Sequence, residues 1–146
     1  MKPDCMLDTN VLLYAALGAD AAPKKRERAR EIVATQDYST SAQVLSEFYT
    51  NAIKPKKWKV PLSKKEAANW VAVLSAKPCL DIDSRIVMDG IALSMRYDIS
   101  YWDGAILAAA KQLGVTTLYT EDLNHGQEYD GVTVINPFRD IDNKFQ

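Results

Sequence analysis

The stretch Cys5-Met6-Leu7-Asp8-Thr9-Asn10-Val11-Leu12-Leu13 decides the fold that this sequence predicts. A short apolar run ends abruptly at Asp8, and a second apolar run with helical character begins at Val11. This pattern predicts a buried strand, a carboxylate at its carboxyl end and a helix that leaves from that point. Open α/β folds build their sites at this edge of the sheet, so Asp8 is a candidate site residue.

Length and composition indicate one soluble globular domain, which we expect to span residues 1–146. A formal net charge of −1 excludes a globally basic nucleic-acid-binding protein, although it leaves room for a local basic surface. Cys5 and Cys79, the only cysteines, lie in apolar strand-like runs and are expected to be reduced thiols. There is no signal-peptide pattern, and no apolar run reaches the ~18 residues of a membrane span. We therefore expect a cytoplasmic protein with no membrane partner.

Strand-like and helix-like segments alternate along the chain with short connections. Strands are predicted at residues 4–7, 37–40, 79–82, 115–119 and 132–135. Helices are predicted at residues 10–17, 24–35, 42–53, 67–74, from Asp83 or Ser84 to Tyr97, and 102–113. The strands read as continuous apolar runs, which is typical of a parallel sheet covered by helices on both faces.

Residues that cap helices are recognisable at several of these boundaries. Ser41 is a plausible N-cap, Ser63 and Glu66 have the form of a capping box, and Gly18 and Gly114 follow predicted helices. The segment Ile82–Tyr97 is apolar almost all round. Such a helix is either deeply buried or partly an oligomer surface.

Two further acids are predicted to lie at the same edge of the sheet as Asp8. The segment Thr116-Thr117-Leu118-Tyr119-Thr120-Glu121-Asp122 is again a strand that runs directly into acids. Right-handed crossovers place the carboxyl ends of parallel strands on one edge, so Asp122 lies near Asp8 if the first and fourth strands are neighbours. Asp103 lies in the first turn of the helix before the fourth strand. Because that helix runs antiparallel to the strand, Asp103 also lies at this edge.

The chemistry of this group of acids points to a hard cation. Each acid alone is more often a turn former or a helix cap, but three together raise one another's pKa unless a cation separates them. Carboxylate oxygens suit Mg²⁺ or Mn²⁺. His125 is the only histidine, which disfavours a catalytic triad or a zinc site, and no glycine-rich phosphate-binding motif is present.

Two basic runs are candidates for RNA contacts. Lys54-Pro55-Lys56-Lys57-Trp58-Lys59 offers four positive charges and one aromatic ring. Phosphates would contact the lysines and a base would stack on Trp58, worth roughly 1–3 kcal/mol. The alternative is a solvated loop with Trp58 folded back onto the core. The second run, Lys24 to Arg30, is interrupted by Glu27 and is predicted to be a solvated helix face.

Four segments of the chain together carry a family resemblance. They are Leu7-Asp8-Thr9-Asn10-Val11-Leu12, Ser46-Glu47-Phe48-Tyr49, Tyr101-Trp102-Asp103-Gly104-Ala105-Ile106 and Thr120-Glu121-Asp122-Leu123-Asn124-His125-Gly126-Gln127. In order, spacing and total length, the chain resembles the PIN-domain family, and more narrowly its VapC-type toxins. The resemblance implies a three-layer α/β/α fold with a five-stranded parallel sheet.

The resemblance also implies the residues of the site. Asp8, Glu47, Asp103 and Asp122 would be the catalytic and metal-binding acids. Periodicity alone places Glu47 on a solvated helix face, so its role comes only from the resemblance. Thr9 and Thr120 would be supporting hydroxyls. Glu121 competes with Asp122 for the fourth position, and Asp122 is preferred because the Thr-Glu-Asp frame aligns it with the family acid.

The implied function is a Mg²⁺- or Mn²⁺-dependent endoribonuclease in which a metal-activated water hydrolyses RNA phosphodiester bonds. Toxin membership would add a cognate antitoxin and a homodimer, formed through the Ile82–Tyr97 helix. Two other classes stay open: a non-catalytic PIN-like module that binds RNA or protein, and a phosphatase with Asp8 as nucleophile. Asn10 speaks against the phosphatase, because haloacid-dehalogenase-like enzymes have a second acid at that position. A receiver-type regulatory domain is also not evident.

Overall fold

The computed structural model describes residues 2–17, 19, 22–55 and 58–141 and is a three-layer α/β/α fold. Its strands are β1 (Cys5–Leu7), β2 (Tyr38–Ser41), β3 (Cys79–Leu80), β4 (Thr117–Tyr119), β5 (Glu128–Tyr129) and β6 (Val132–Ile135). Its helices are α1 (Thr9–Leu17), α2 (Pro23–Thr35), α3 (Ala42–Ala52), α4 (Lys64–Leu74), α5 (Ser84–Tyr97) and α6 (Tyr101–Leu113). In the described ranges, no helix has the length and hydropathy needed to cross a membrane.

The sheet places β1 at its centre, with the strand order β3-β2-β1-β4-β6-β5. β1 pairs in parallel with β2 on one side and with β4 on the other, where Met6 lies opposite Leu118 and Leu7 opposite Tyr119. The first and fourth predicted strands are therefore neighbours, which is the condition under which Asp8 and Asp122 were expected to lie close together. The strand order reverses between β1 and β4, which is where open α/β sheets bind ligands.

The sheet has one strand more than the five parallel strands expected. All five predicted strands are present and parallel, but β5 adds a short antiparallel strand beside β6. Asp130 and Gly131 form the connection, with φ values of 49° and 91°. A two-residue Asp-Gly loop with both φ values positive is a favoured hairpin turn. Two residues are too few for a hydrophobic pattern, so only the Asp-Gly pair in the sequence signalled β5.

Helix starts follow the predicted caps. The hydroxyl of Ser41 accepts from the amide of Val44, and Ser63 and Glu66 form both bonds of the capping box, which starts α4 at Lys64, ahead of the predicted start at Ala67. Asp83, one of two candidates, is the N-cap of α5. Gly114 ends α6 in the left-handed conformation. Gly18 lies outside the described residues.

The core is built around β1, all of whose residues are buried. Cys5 in β1 is buried, Cys79 in β3 is half-buried, and both are free thiols, which agrees with the expectation of reduced cysteines. Burial raises the pKa of the Cys5 thiol to about 11. This thiol is therefore protonated at neutral pH and is a packing group, since the thiolate is the reactive form.

The apolar segment Ile82–Tyr97 was predicted to be either deeply buried or partly exposed as an oligomer surface, and helix α5 distinguishes the two. Ile86, Gly90 and Leu93 face the interior. The opposite side is apolar but accessible, with the side chains of Val87, Met88, Ile91 and Met95 exposed. The helix is therefore not deeply buried, and it presents an apolar surface, which we call the α5 face.

Helices α5 and α6 cross at two glycines that permit close backbone approach. A Cβ atom at Gly104 would collide with the carbonyl oxygen of Gly90 and lie 2.9 Å from the amide nitrogen of Ser94. A Cβ atom at Gly90 would lie 2.9 Å from the Cα of Ala105. Gly104 directly follows Asp103, so this close crossing fixes where α6 begins relative to α5.

We expect Gly104→Ala to destabilise the protein by about 2 kcal/mol, although alanine is the better helix former, because overpacking outweighs the gain in helix propensity. Gly90→Ala should cost less, since its contact is longer. Urea unfolding measures both changes. A Gly104→Ala variant as stable as the wild type would show that the helices do not cross this closely.

Candidate active site

Asp8 is held at the end of β1 by two hydrogen bonds. Its Oδ1 accepts from the backbone amide of Thr9 at 2.7 Å, and its Oδ2 accepts from the hydroxyl of Thr120 at 2.7 Å. Thr120 directly follows β4, the strand that pairs with β1. The parallel pairing of these strands therefore orients the Asp8 carboxylate.

Asn10 links the end of β1 to Asp122. Its Nδ2 donates to Thr120 Oγ1 and to Asp122 Oδ2, both at 3.3 Å. The amide of Asp122 in turn donates to Thr120 Oγ1 at 3.1 Å. Thr120 thus bonds to Asp8, Asn10 and Asp122, and it joins the first and fourth sequence motifs into one network.

The pKa values of two of the four predicted acids are raised. Burial raises the pKa of Asp8 to about 7 against the bonds from Thr120 and Thr9, and the charges of Asp122 and Glu47 raise it further. Burial also raises the pKa of Asp122, followed by the charges of Asp103, Glu121 and Glu47. The charge of Glu47 therefore acts on both Asp8 and Asp122, and the charge of Asp103 acts on Asp122.

Glu47 and Asp103 lie on two different helices. Glu47, on α3, is half-buried, and its Oε1 accepts from Gln43 Nε2 at 2.9 Å. Helix periodicity alone predicted a solvated face for Glu47, but the side chain is not fully exposed. Asp103, in the first turn of α6, is also half-buried, and its amide donates to the N-cap Ser100 at 3.1 Å.

The atoms available at this site suit a hard divalent cation. Within the part of the chain that the structure describes, no three acid, histidine or cysteine side chains are already close enough together to hold a metal. Mg²⁺ does not need such a cage, since it keeps several waters and often takes only one or two carboxylates. Thr9 Oγ1 and Asn10 Oδ1 are buried oxygens with no hydrogen-bond partner among the described residues. An all-oxygen set with these unused atoms fits Mg²⁺ or Mn²⁺ better than zinc.

Glu121 turns away from this group. Its Oε1 accepts from the Tyr14 hydroxyl at 2.9 Å, and its Oε2 lies 3.2 Å from Lys25 Nζ. Both oxygens are therefore engaged by α1 and α2, whereas Asp122 contacts Asn10 beside Asp8. The predicted solvated face of Lys24 to Arg30 is wrong at Lys25, which is only 8% exposed.

Trp58, in the basic run after α3, is folded back onto the core, which is the second of the two predicted alternatives. Trp58 is 7% exposed, its Nε1 donates to the carbonyl of Asn51 at 3.2 Å, and its ring lies edge-on to Tyr14. The indole is packed on the core and offers no open face to a base. Lys54 and Lys59 are exposed, and Lys56 and Lys57 lie outside the described residues.

Sequence patterns assigned no role at this site to four residues that contact acids there: Asn10, Tyr14, Lys25 and Gln43. Two of them carried a usable signal. Asn10 lies in the first turn of a helix that begins at the predicted site. Lys25 has i, i+4, i+7 spacing with Ala29 and Ile32, which are both buried, so it lies on the inward stripe of α2.

Known proteins resemble this chain in sequence and in fold. Residues 5–127, which include all four motifs, match the family model described as PIN domain. No curated protein matches the sequence.

Similar solved structures include a toxin–antitoxin complex from Klebsiella pneumoniae, with 20% identity and a TM-score of 0.64 over 91% of this chain and 97% of that chain. VapC20 from Mycobacterium tuberculosis, a sarcin–ricin loop cleaving toxin, has 17% identity and a TM-score of 0.64 over 81% and 91%. VapBC2 from Rickettsia felis, bound to a promoter DNA fragment, has 18% identity and a TM-score of 0.59 over 89% and 96%. At these identities the likeness shows the shared fold.

We expect Asp8→Asn to raise the melting temperature of the metal-free protein at pH 8 but not at pH 4. Folding raises the Asp8 pKa from 3.8 to about 7, so the native state is increasingly destabilised as pH rises between these values and fully so above pH 7. Since 1 kcal/mol shifts the melting temperature of a domain this size by about 2–4 °C, we expect a gain of about 3 °C or more at pH 8.

Calorimetry in EDTA at both pH values measures this difference. Asp37→Asn is the matched control, because Asp37 is an exposed acid that precedes β2 at the opposite edge of the sheet. An equal effect of Asp8→Asn at pH 4 and pH 8 would contradict the raised pKa.

Proposed function

The chain belongs to the PIN domain family, and from this premise we propose that it is a metal-dependent endoribonuclease, the toxin of a type II toxin–antitoxin pair. The network that joins Asp8, Asn10, Thr120 and Asp122 at the β1–β4 edge is the observation that carries this proposal. Similar structures include a toxin that cleaves the sarcin–ricin loop and a toxin–antitoxin complex, which supports an RNA substrate and an antitoxin partner. We also propose that it acts in the cytoplasm.

Asp8, Glu47, Asp103 and Asp122 would hold the Mg²⁺ or Mn²⁺. A cation bound there would lower the pKa of a water and stabilise negative charge on the phosphate during hydrolysis. We prefer Asp122 to Glu121 as the fourth acid, because both Glu121 oxygens already have partners.

The other residues of the network act by orienting these acids. The Thr9 amide and the Thr120 hydroxyl each bind one oxygen of Asp8, and the remaining lone pairs of both oxygens are left for a cation. Asn10 restrains Asp122 through its amide group. Such bonds fix the direction of ligands before a metal arrives, which reduces the cost of ordering them on binding.

A substrate polyanion needs positive charge outside the acidic site. Lys54 and Lys59 are exposed on the loop that follows α3, the helix that carries Glu47. We assign phosphate contacts to this loop, without base stacking on Trp58. Each phosphate that a lysine neutralises releases counterions, so RNA affinity would fall with rising salt.

We also propose a homodimer that buries the α5 face. Met88 and Met95 are 62% and 75% exposed, and Ile91 between them is 45% exposed. A continuous apolar strip of this kind is costly to leave in water and is typical of a subunit contact.

The endoribonuclease proposal predicts metal-dependent RNA cleavage that Asp8→Asn and Asp122→Asn reduce at least about 100-fold, since each removes a charged oxygen from the proposed metal site. EDTA should abolish cleavage, and Mg²⁺ or Mn²⁺ should restore it. End-labelled RNA on a denaturing gel measures the products.

Asp37→Asn is again the control and should cleave like the wild type. A folded Asp8→Asn variant with full activity would contradict the proposal. RNA binding without cleavage by the wild type would favour the non-catalytic PIN-like module instead.

The homodimer proposal predicts that Met95→Glu shifts the protein from dimer to monomer, because a carboxylate in the buried contact would be desolvated without a partner. Sedimentation at several protein concentrations measures the shift. Val73→Glu is the matched control, since Val73 on α4 is 67% exposed but lies outside the α5 face. A wild-type monomer at all concentrations would contradict the dimer.

A further inference from the structure

Lys25 is a buried cation that the proposed chemistry does not use. It lies on α2 with 8% exposure, and its Nζ lies 3.2 Å from Glu121 Oε2 and 3.3 Å from the Tyr14 hydroxyl. The rings of Tyr14 and Phe138 lie 4.9 Å and 5.7 Å from the same nitrogen. A buried ammonium is costly unless it is paired and hydrogen-bonded, and these contacts meet that requirement.

Tyr14 closes a triangle with Lys25 and Glu121. Its hydroxyl donates to Glu121 Oε1 at 2.9 Å and accepts from Lys25, so each Glu121 oxygen has its own donor. The Tyr14 ring also packs edge-on against Phe138, with 5.1 Å between centroids. Hydrogen bonds and ring packing together therefore fix the Glu121 side chain in one direction.

Glu121 is the residue between two members of the candidate site, Thr120 and Asp122. Asn10 and Tyr14 lie four residues apart on α1, a spacing that puts both on one side of the helix. Asn10 contacts Thr120 and Asp122, whereas Tyr14 contacts Glu121. Helix α1 thus contacts residues 120–122 through both Asn10 and Tyr14, and Lys25 on α2 adds a second contact to Glu121.

We propose that Lys25 is a positioning residue that acts through Glu121 and Tyr14 to hold the Thr120–Asp122 segment, and with it Asp122, against α1. The role in metal binding rests on the proposed function, because it takes Asp122 as a ligand. The role in ordering the segment does not depend on a metal. Lys25 itself is too buried to contact substrate.

The test compares Lys25→Met, which keeps an unbranched side chain one atom shorter and without the charge, with Lys25→Arg and Lys111→Met. Lys111 is the matched control, because it also pairs with an acid, Asp130, but is exposed on α6. Two quantities are measured on the full chain: Mn²⁺ affinity by calorimetry, and amide hydrogen exchange of a peptide covering residues 119–124.

We expect Lys25→Met to weaken Mn²⁺ binding about 10-fold, the usual effect of losing a residue that orients metal ligands, and to accelerate exchange in residues 119–124. Lys25→Arg should keep most of the affinity, since it retains the charge, and Lys111→Met should behave like the wild type. Glu121→Gln combined with Lys25→Met should cost little more than Lys25→Met alone, because the two residues act as one unit.

The outcomes separate this inference from the proposed function. A Lys25→Met protein that melts earlier but keeps wild-type Mn²⁺ affinity and exchange would overturn the positioning role and leave Lys25 a structural brace. A wild type that binds no Mn²⁺ would overturn the metal site, whereas faster exchange in Lys25→Met would still support the ordering of the segment. If Lys25→Met does not fold, Tyr14→Phe is the second variant, because it removes only the hydroxyl. It should weaken Mn²⁺ binding about 3-fold and accelerate exchange in residues 119–124 to a smaller extent. No change in Tyr14→Phe would overturn the proposal.

Discussion

The hydrogen bond between the Thr120 hydroxyl and the Asp8 carboxylate is the contact on which the rest of the site depends. It exists because β1 and β4 are parallel neighbours, so the residues that follow them lie side by side. Without a cation, it holds a carboxylate where burial and nearby acids disfavour ionisation. An ionised Asp8 therefore lowers the free energy of unfolding, and such a loss of stability is common where a protein binds a ligand of opposite charge.

The surrounding elements limit how far these acids can move apart. Asn10 connects the start of α1 to Asp122. The glycine crossing of α5 and α6 fixes the N-terminus of α6, where the Ser100 cap and Asp103 lie. Repulsion between carboxylates would otherwise be relieved by small outward shifts of loops and helix ends. Because each acid lies on or beside a packed element, these shifts would disturb the core.

Much of the fold could be predicted because it follows from short-range patterns. The caps at Ser41 and Ser63 were visible in the sequence, and the neighbouring positions of Asp8 and Asp122 followed from parallel topology. The family drawn from four motifs is confirmed by the match over residues 5–127. Contacts between distant segments produce no local sequence pattern. Lys25 and Glu121 are 96 residues apart, so the sequence of α2 could not predict that Glu121 pairs with Lys25. Glu47 is a second example, because helix periodicity does not predict which other elements of the fold lie beside this side chain.

Glu121 and Asp122 show how adjacent acids acquire different roles from their surroundings. Both follow β4, and the sequence leaves either one available to the site. The chain bends at both residues, and Glu121 contacts Tyr14 and Lys25 whereas Asp122 contacts Asn10. Lys25 forms an ion pair with Glu121. Asp122 has only the neutral amide of Asn10 as its side-chain hydrogen-bond partner among the described residues. Burial raises its pKa, and the surrounding acids raise it further. A cation that approaches this edge therefore gains more by pairing with Asp122 than with Glu121, because the charge of Glu121 is already compensated.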